Sequence, residues 1–324
     1  MKNKNIINVC LASGESYLKY MATAMVSILK TAAPDDEIHF YILCNQVSQK
    51  SKHYIATLKK FGACEITFLD VDNKEFDVFP SAGKHITNTT YFRYKIAELC
   101  PDIDKIIYLD CDTIAKQSLA ELFNQDLTDY LLAGVQDVGY YYWRNYNPQF
   151  IYKEGFYVNT GMILINLDAW RNDKLFNKLV DFTVKNAHKI AIGDQDVINQ
   201  VCAGKIKRLP YKWNVQDSFY RAEPERAYNP NCDQIIAAAE DPAVIHYTQA
   251  KKPWNSTQMP RAGDWIHFNC VRLGPVMGTL YRLKTACLYA VSFYRTDRGI
   301  YVKFLNRFKT KIIPLSRRKN DATH

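Results

Sequence analysis

No uninterrupted apolar run in this sequence of 324 residues approaches the ~20 residues that a membrane-spanning helix needs. The apolar stretch near the amino terminus covers only residues 6–12 and is interrupted by Asn8, so it does not make a signal-peptide core. No linker rich in Gly and Ser, internal repeat or low-complexity tract divides the chain. These absences argue against a helical membrane protein and predict a cytoplasmic one.

The nine cysteines lack the spacing of a metal or disulfide framework. Their number is odd, they are widely spaced, and none forms a C-x-x-C pair. We therefore expect most of them to be reduced and buried.

Positive charge is concentrated at one end of an otherwise balanced chain. Residues 271–324 contain 12 basic and 2 acidic residues, whereas the preceding residues contain 30 and 31. The chain is also rich in aromatic residues, with 22 Tyr, 16 Phe and 5 Trp, which suits ring stacking or a membrane interface. The sequence thus predicts a neutral globular body followed by a basic, aromatic extension.

Strands and helices alternate through the first part of the chain. Apolar runs at 6–11, 38–43 and 65–69 predict strands, and the segments 17–32 and 49–61 between them predict helices. This order predicts an α/β fold with a parallel sheet and helical crossovers.

The same alternation continues as far as Trp254. A helix is predicted to end near Leu99, strands at 105–109 and 157–167, and helices at 174–188 and 195–203. After Trp254 the pattern changes to short basic and aromatic helices.

Paired carboxylates are the first candidates for chemistry. Two aspartates that are two apart on an extended segment point the same way and can share one hard cation. Four such pairs occur: Asp70/Asp72, Asp102/Asp104, Asp110/Asp112 and Asp194/Asp196. Each pair alone is more typical of a solvated turn or a helix cap. Only Asp110/Asp112 directly follow a strongly apolar strand, the position where open α/β sheets collect ligands.

The segment from Ile106 to Thr113 resembles the metal-binding strand of the family 8 retaining glycosyltransferases, which include bacterial lipopolysaccharide galactosyltransferases and glycogenin. Further segments agree with this family in order and spacing: 85–93, 157–161, 193–196 and 246–254. The resemblance implies a GT-A fold, a Rossmann-like, mostly parallel central sheet flanked by helices. It places the catalytic domain at 1–255 and the extension at 256–324.

The resemblance also implies a hexosyltransferase that uses a divalent cation. A cation that bridges a diphosphate leaving group neutralises the charge that develops as the glycosidic bond breaks. Asp110, Asp112 and His246 would bind it, and Lys252 would contact the phosphates. Mn²⁺ is favoured over Mg²⁺ because it accepts imidazole more readily. The alternatives are a core histidine at His246 and a surface lysine at Lys252.

The residues implied in donor binding are distributed along the chain: Ala12, Gly14, Glu15, Ser16, Tyr17, Ile86, Arg93, Asp110, Cys111, Asp112, Asn159, Asp194, Gln195, His246, Gln249 and Lys252. Arg93 would hold the diphosphate or a sugar hydroxyl from the first turn of its helix. Asn159, an amide in an apolar strand, would hold the sugar. A surface arginine and a structural cross-strand hydrogen bond are the alternatives.

Retention of configuration requires either a covalent intermediate or attack from the leaving-group side. The resemblance places Asp194 on the sugar hydroxyls and Gln195 against the sugar face opposite the leaving group. Gln195 is a poor nucleophile, which favours same-side attack, although Asp137 or Asp196 could serve as nucleophiles. Asp194 and Asp196 could instead simply complement a helix dipole.

The chain departs from the family pattern at two positions. Gly14 replaces an acidic residue that reads uracil, so Glu15 or a backbone group must substitute. Gln249 replaces a glycine and could reshape the entrance to the acceptor site. The candidate acceptor-binding residues are His85, Asp137 and Thr248.

The expected partners are a UDP-hexose, carrying galactose or glucose, and a saccharide or lipid-linked oligosaccharide acceptor such as lipopolysaccharide, lipooligosaccharide or capsule. Each basic residue near an anionic leaflet adds ~1 kcal/mol, so the extension predicts peripheral attachment to the inner face of the cytoplasmic membrane. A solvated tail is the alternative, and no nucleic-acid recognition fold is evident. A sugar-nucleotide-binding or scaffolding protein without turnover remains the alternative function.

Overall fold

The computed structural model describes residues 4–80, 88–139, 150, 156–221, 231–256 and 259–296. The chain divides into two compact units, Met1–Arg272 and Leu273–His324. The first unit includes residues 256–272, which the sequence analysis assigned to the extension, and the functional division at 255 stays a prediction.

Ten strands are described: β1 (Asn5–Ala12), β2 (Asp36–Cys44), β3 (Cys64–Asp70), β4 (Lys105–Leu109), β5 (Thr113–Ala115), β6 (Leu132–Gln136), β7 (Val158–Asn166), β8 (Ile206–Arg208), β9 (Val215–Gln216) and β10 (Val244–His246). Seven of them form one sheet in the order β3-β2-β1-β4-β7-β6-β8. β7 runs antiparallel to both of its neighbours, and the other pairs are parallel. The predicted mostly parallel sheet is confirmed.

The α-helices of the described residues are α1 (Leu18–Thr31), α2 (Gln49–Ala56), α3 (Ile96–Leu99), α4 (Ala120–Phe123), α5 (Leu167–Asn172), α6 (Leu175–Lys185), α7 (Gly193–Val201), α8 (Cys232–Glu240) and α9 (Ala262–Thr296). The predicted helix ending at Leu99 is mostly a 3₁₀ helix, Asn88–Lys95. Its threonines and aromatic residues favour the α-helix weakly. In a 3₁₀ helix, side chains three apart eclipse, and Tyr91 contacts Tyr94 edge to face.

Side chains of the central sheet pack into two hydrophobic layers. Alternate residues of a strand face opposite sides, so Val9 packs in one layer with α1, whereas Cys10 packs in the other with Tyr108. β7 is buried along almost its whole length, as expected for a strand covered on both faces.

A second sheet has three strands in the order β5-β10-β9 and lies next to the carboxyl end of β4. β10 pairs antiparallel with β5 and parallel with β9. Because β5 follows β4 after only three residues, this small sheet places the end of β10 beside the end of β4.

In the second unit the described residues belong to α9. Gly274 has a non-helical conformation (φ 81°, ψ 177°) and is followed by Pro275, so two helices join at this point. Within the described ranges, no helix has both the length and the apolar character needed to cross a bilayer.

Candidate active site

The three predicted metal ligands converge although they come from distant parts of the chain. Asp110 and Asp112 lie in the turn between β4 and β5, and His246 ends β10 opposite Thr113. His246 Nε2 lies 3.4 Å from Asp112 Oδ1 and 3.7 Å from Asp110 Oδ2. One ligand atom of each residue falls within 4.8 Å of the others, which suits a single cation.

The donor set and its surroundings match a hard divalent cation. Asp112 Oδ1 is buried and accepts no hydrogen bond from the described part of the chain. A buried carboxylate oxygen without a donor is costly, and a cation would satisfy it. The turn is held by the backbone, since Asp110 N–H donates to Gly161 O at 2.8 Å and Tyr247 N–H donates to Asp112 O at 3.0 Å.

The charges around the cluster favour ionised Asp112. Burial raises the pKa of Asp112, but Lys252, whose Nζ donates to Asp112 Oδ2 at 2.6 Å, and His246 together lower it below its usual range. Burial lowers the pKa of His246, but Asp112 and Asp110 outweigh it and the net shift is upward. Lys252 is therefore part of the cluster and not a surface lysine.

Arg93 is buried, with 3% of its surface exposed, so the alternative of a surface arginine is wrong. Its guanidinium contacts two predicted site carboxylates, Asp110 Oδ1 at 3.1 Å and Asp194 Oδ2 at 3.0 Å. It also lies over the Tyr108 ring at 4.1 Å. Arg93 thus holds the carboxylates of Asp110 and Asp194 on one guanidinium group.

Asp194 and Gln195 lie in the first turn of α7 and contact Thr160 near the start of β7. Asp194 is buried, which raises its pKa, and it accepts hydrogen bonds from the hydroxyls of Thr160 and Thr90. Gln195 Oε1 accepts from Thr160 N–H at 3.1 Å, and its Nε2 donates to Asp137 Oδ2 at 3.1 Å. Both polar ends of the glutamine amide are therefore engaged.

Asp196 binds the Tyr157 hydroxyl and the loop before α7. Oδ1 accepts from the Tyr157 hydroxyl at 2.9 Å, and Oδ2 accepts from the backbone N–H groups of Ala191 and Ile192 at 2.8 and 2.9 Å. The carboxylate fixes the loop that precedes α7.

Asn159 and Asp137 connect the two sides of the site. Asn159 Nδ2 donates to Asp137 Oδ2 at 3.1 Å, and Asn159 Oδ1 accepts from Gly161 N–H at 3.1 Å. The structural hydrogen bond considered as an alternative for Asn159 is therefore present, and it lies within the site itself.

Residues at and after the end of β1 lie near the cluster. Cys111 Sγ donates to Ala12 O at 3.1 Å, and the pKa of Tyr17 rises to about 12 because of burial and the nearby Asp112. Apart from its two chain neighbours, no described residue has a heavy atom within 4 Å of a Cβ placed on Gly14. Ser16 is exposed.

Glu15 is oriented toward the start of α2. Its carboxylate accepts from Ser48 N–H at 3.0 Å, from Ser48 Oγ at 2.9 Å and from Ser51 Oγ at 2.5 Å. These bonds lower its pKa. The side chain is thus engaged in the fold at the amino terminus of a helix.

Two polar residues of the site were missed by the sequence analysis. Asn214 Oδ1 lies 3.0 Å from His246 Nδ1, and Asp217 Oδ2 accepts from Gln249 N–H at 3.1 Å. A polar residue inside the apolar run Trp213–Val215 was the available signal for Asn214. Thr248 is exposed beside Gln249, whereas His85 and Ile86 lie outside the described residues.

Comparison with known proteins decides the family. The model of glycosyl transferase family 8 matches residues 8–258. The chain belongs to this family. A protein of Haemophilus influenzae is 33% identical over 266 residues, 82% of this chain and 76% of its own length. The lipopolysaccharide 1,3-galactosyltransferase of Salmonella typhimurium is 24% identical and aligns with 93% of this chain and 90% of its own.

A solved structure agrees with the family in fold. The galactosyltransferase LgtC, in complex with donor and acceptor sugar analogues, superposes with a TM-score of 0.74 at 28% identity, covering 81% of this chain and 95% of that one. The predicted family, GT-A fold and enzyme class, a hexosyltransferase, are confirmed. The fold and the Asp-Asp-His cluster together indicate the use of a divalent metal.

Proposed function

We propose that this family 8 glycosyltransferase transfers galactose or glucose from UDP to a bacterial surface glycan, such as lipopolysaccharide, lipooligosaccharide or capsule, with retention of configuration. The convergence of Asp110, Asp112 and His246 beside buried Arg93 and Asp194 carries the proposal. The named galactosyltransferases among its relatives support the hexose donor and the glycan acceptor.

The proposed cofactor is Mn²⁺, with Mg²⁺ as the second choice. Asp110 and Asp112 offer carboxylate oxygens and His246 an imidazole nitrogen, a set that Mn²⁺ accepts more readily than Mg²⁺. When bound, the cation supplies Lewis-acid stabilisation of the departing diphosphate. Lys252, now paired with Asp112, would contact the phosphates and neutralise the remaining negative charge.

The hydrogen bonds of the candidate nucleophiles support same-side attack. Gln195 is an amide engaged at both ends, Asp196 holds a loop, and Asp137 Oδ2 accepts from two amides. In the proposed step the glycosidic C–O bond to UDP breaks and the acceptor oxygen bonds to the same face of the sugar. The acceptor proton passes to the leaving diphosphate oxygen. Asp194 would hold the sugar hydroxyls.

The nucleobase end is proposed to lie along the end of β1. Because Glu15 is engaged with Ser48 and Ser51, we assign uracil contacts to the backbone around Gly14 and to the Tyr17 ring. Acceptor contacts are assigned to Asp137, to Thr248 beside Gln249 and, from the family resemblance alone, to His85.

The second unit is proposed to attach the enzyme to the cytoplasmic face of the membrane, where a lipid-linked acceptor would be found. Its described helix has apolar side chains that are more than half exposed: Val276, Met277, Leu280, Leu283 and Leu288. Arg282 and Lys284 are exposed on the same helix, a composition that suits an anionic lipid surface.

A donor screen and one substitution test the proposed activity. Purified protein with Mn²⁺ should release UDP from UDP-galactose or UDP-glucose, and Asp112→Asn should lose this activity together with metal-dependent UDP binding. Asp102→Asn is the matched control, because Asp102 belongs to another Asp-x-Asp pair in an exposed turn. Nucleotide binding without turnover of any UDP-hexose would favour the sugar-nucleotide-binding or scaffolding protein instead.

A further inference from the structure

The Asn214 side chain lies between Asn159, a proposed sugar contact, and His246, a proposed metal ligand, and it is fully buried, with 0% of its surface exposed. Its Nδ2 donates to Asn159 Oδ1 at 3.1 Å and to Asn159 O at 3.4 Å, and its Oδ1 faces His246 Nδ1 at 3.0 Å. Asn214 thus connects the Asn159 amide to His246, a predicted metal ligand.

The orientation of each amide in this chain of hydrogen bonds is determined by its ends. The Asp137 carboxylate can only accept, and the Gly161 N–H can only donate, so Asn159 must present Nδ2 to Asp137 and Oδ1 to Gly161. Asn159 Oδ1 then requires the Nδ2 of Asn214. Asn214 Oδ1 is consequently left to face His246, and it can only accept, so the hydrogen must be on His246 Nδ1.

We propose that Asn214 is a positioning residue that holds His246 in the tautomer with the hydrogen on Nδ1. The lone pair is then on Nε2, the nitrogen that lies 3.4 Å from Asp112 Oδ1 and 3.7 Å from Asp110 Oδ2. A second hydrogen bond that fixes the tautomer and ring orientation of a histidine ligand commonly contributes about 10–100-fold to metal affinity. This assignment rests on the metal dependence proposed above.

A purely structural role of the Asn214 amide predicts a different result, and the chain offers a matched control. Gln216 is two residues away and equally buried, with 2% of its surface exposed, and its Nε2 donates to Gln136 O at 3.3 Å. Gln216→Ala therefore removes a buried amide from the same segment without removing the partner of the His246 ring.

Mn²⁺ titration of the full chain without nucleotide, followed by electron paramagnetic resonance, distinguishes the two roles. Asn214→Ala should bind Mn²⁺ about 10–100-fold more weakly than the unmodified chain, whereas Gln216→Ala should stay near the unmodified value. Equal weakening by both variants, or none by Asn214→Ala, would overturn the positioning role. An unmodified chain that binds no Mn²⁺ would instead refute the proposed metal dependence.

A second measurement needs no cation and is made on the chain with Asn214 intact. In metal-free protein labelled with ¹⁵N in the histidine rings, at alkaline pH, neutral His246 should carry its hydrogen on Nδ1. The resonance is assigned by its loss in His246→Gln. A hydrogen on Nε2 would contradict the inference even if the enzyme proves metal-dependent, and a hydrogen on Nδ1 would support it whatever the activity.

Discussion

Gly161 lies on β7 in close contact with two of the proposed cation ligands, His246 and Asp110. A Cβ at this position would overlap the His246 ring and would come within 2.6 Å of Asp110 Oδ2. Gly161→Ala must therefore displace at least one ligand. Misplacing a catalytic group by about 1 Å can cost about 100-fold in rate, so we expect a loss of that size in metal-dependent UDP-sugar hydrolysis.

The control for this substitution is Gly263→Ala in α9. Apart from its chain neighbours and the nearby backbone of its own helix, no described residue has a heavy atom within 4 Å of a Cβ placed there, and alanine suits a helix better than glycine. Gly263→Ala should keep the unmodified activity. Full activity in Gly161→Ala as well would show that the arrangement of Asp110 and His246 is not needed for the reaction.

The affinity for the cation should depend on pH through His246. Although burial lowers its pKa, Asp112 and Asp110 raise the net value above 6.5 in the folded, metal-free protein. The attraction between protonated His246 and the two aspartates therefore stabilises the metal-free fold at low pH. That contribution is lost as the pH rises through the pKa of His246 in the folded protein. Since the cation must displace the proton, Mn²⁺ affinity should rise about tenfold per pH unit below the folded pKa and then level off.

Mn²⁺ titrations over a series of pH values check this dependence. The change in slope should lie above pH 6.5, the ordinary value for histidine. A pH-independent affinity across this range would mean that His246 gives up no proton on binding and would argue against its role as a ligand.

A local signal could be recognised in the sequence, whereas Asn214 and the hydrogen-bond partners of Glu15 could not be predicted from it. Asp110 and Asp112 follow an apolar strand, so their placement could be predicted from their neighbours. Asn214 gains its role only when β10 places His246 beside it. Glu15 similarly binds Ser48 and Ser51, more than 30 residues away, and no local pattern could show this.

At the scale of elements, a single hydroxyl joins α1 to β5. Ser27 Oγ accepts from Ala115 N–H at 2.9 Å and donates to Ala24 O at 2.6 Å, and the side chain is fully buried. Ser27→Ala leaves the Ala115 N–H without a partner in the small sheet that places His246. We expect the free energy of unfolding in urea to fall by about 1–3 kcal/mol.

Thr31→Ala removes a hydroxyl from the same helix without this consequence. Among the described residues, Thr31 Oγ1 donates only to carbonyls of its own helix, Ser27 O at 2.9 Å and Ile28 O at 3.3 Å. Its loss should change the unfolding free energy by less than about 0.5 kcal/mol. Equal effects of the two substitutions would argue against a special role for the link to Ala115.

The direction of β7 and the existence of the small sheet could not be predicted from the sequence. A strand buried on both faces is apolar throughout whether its neighbours run parallel or antiparallel, so the run at 157–167 carries no sign of direction. β9 has only two residues, Val215–Gln216, and β5 has only three, too few for a period to be recognised.

At the scale of the whole molecule, the uneven charge and the division into two units lead to a prediction about membrane binding. After Arg272 the sequence contains 11 basic and 2 acidic residues. Each basic residue near an anionic surface contributes ~1 kcal/mol, so a chain that ends at Arg272 should lose most of its binding to phosphatidylserine-containing vesicles. Sedimentation with such vesicles measures the loss.

The same truncated chain should keep its UDP-sugar hydrolysis, because the bonds that anchor the start of α9 lie within the first unit. Thr23 Oγ1 donates to Asn269 Oδ1 at 3.2 Å, and Arg272 donates to the Tyr54 hydroxyl. Vesicles of neutral phosphatidylcholine separate the two contributions to binding. Binding through apolar insertion would persist on them, whereas binding through charge would be lost. The first 270 residues carry almost no net charge, so we expect them to bind anionic vesicles weakly. Equal binding by the truncated and full chains would show that attachment does not depend on the second unit.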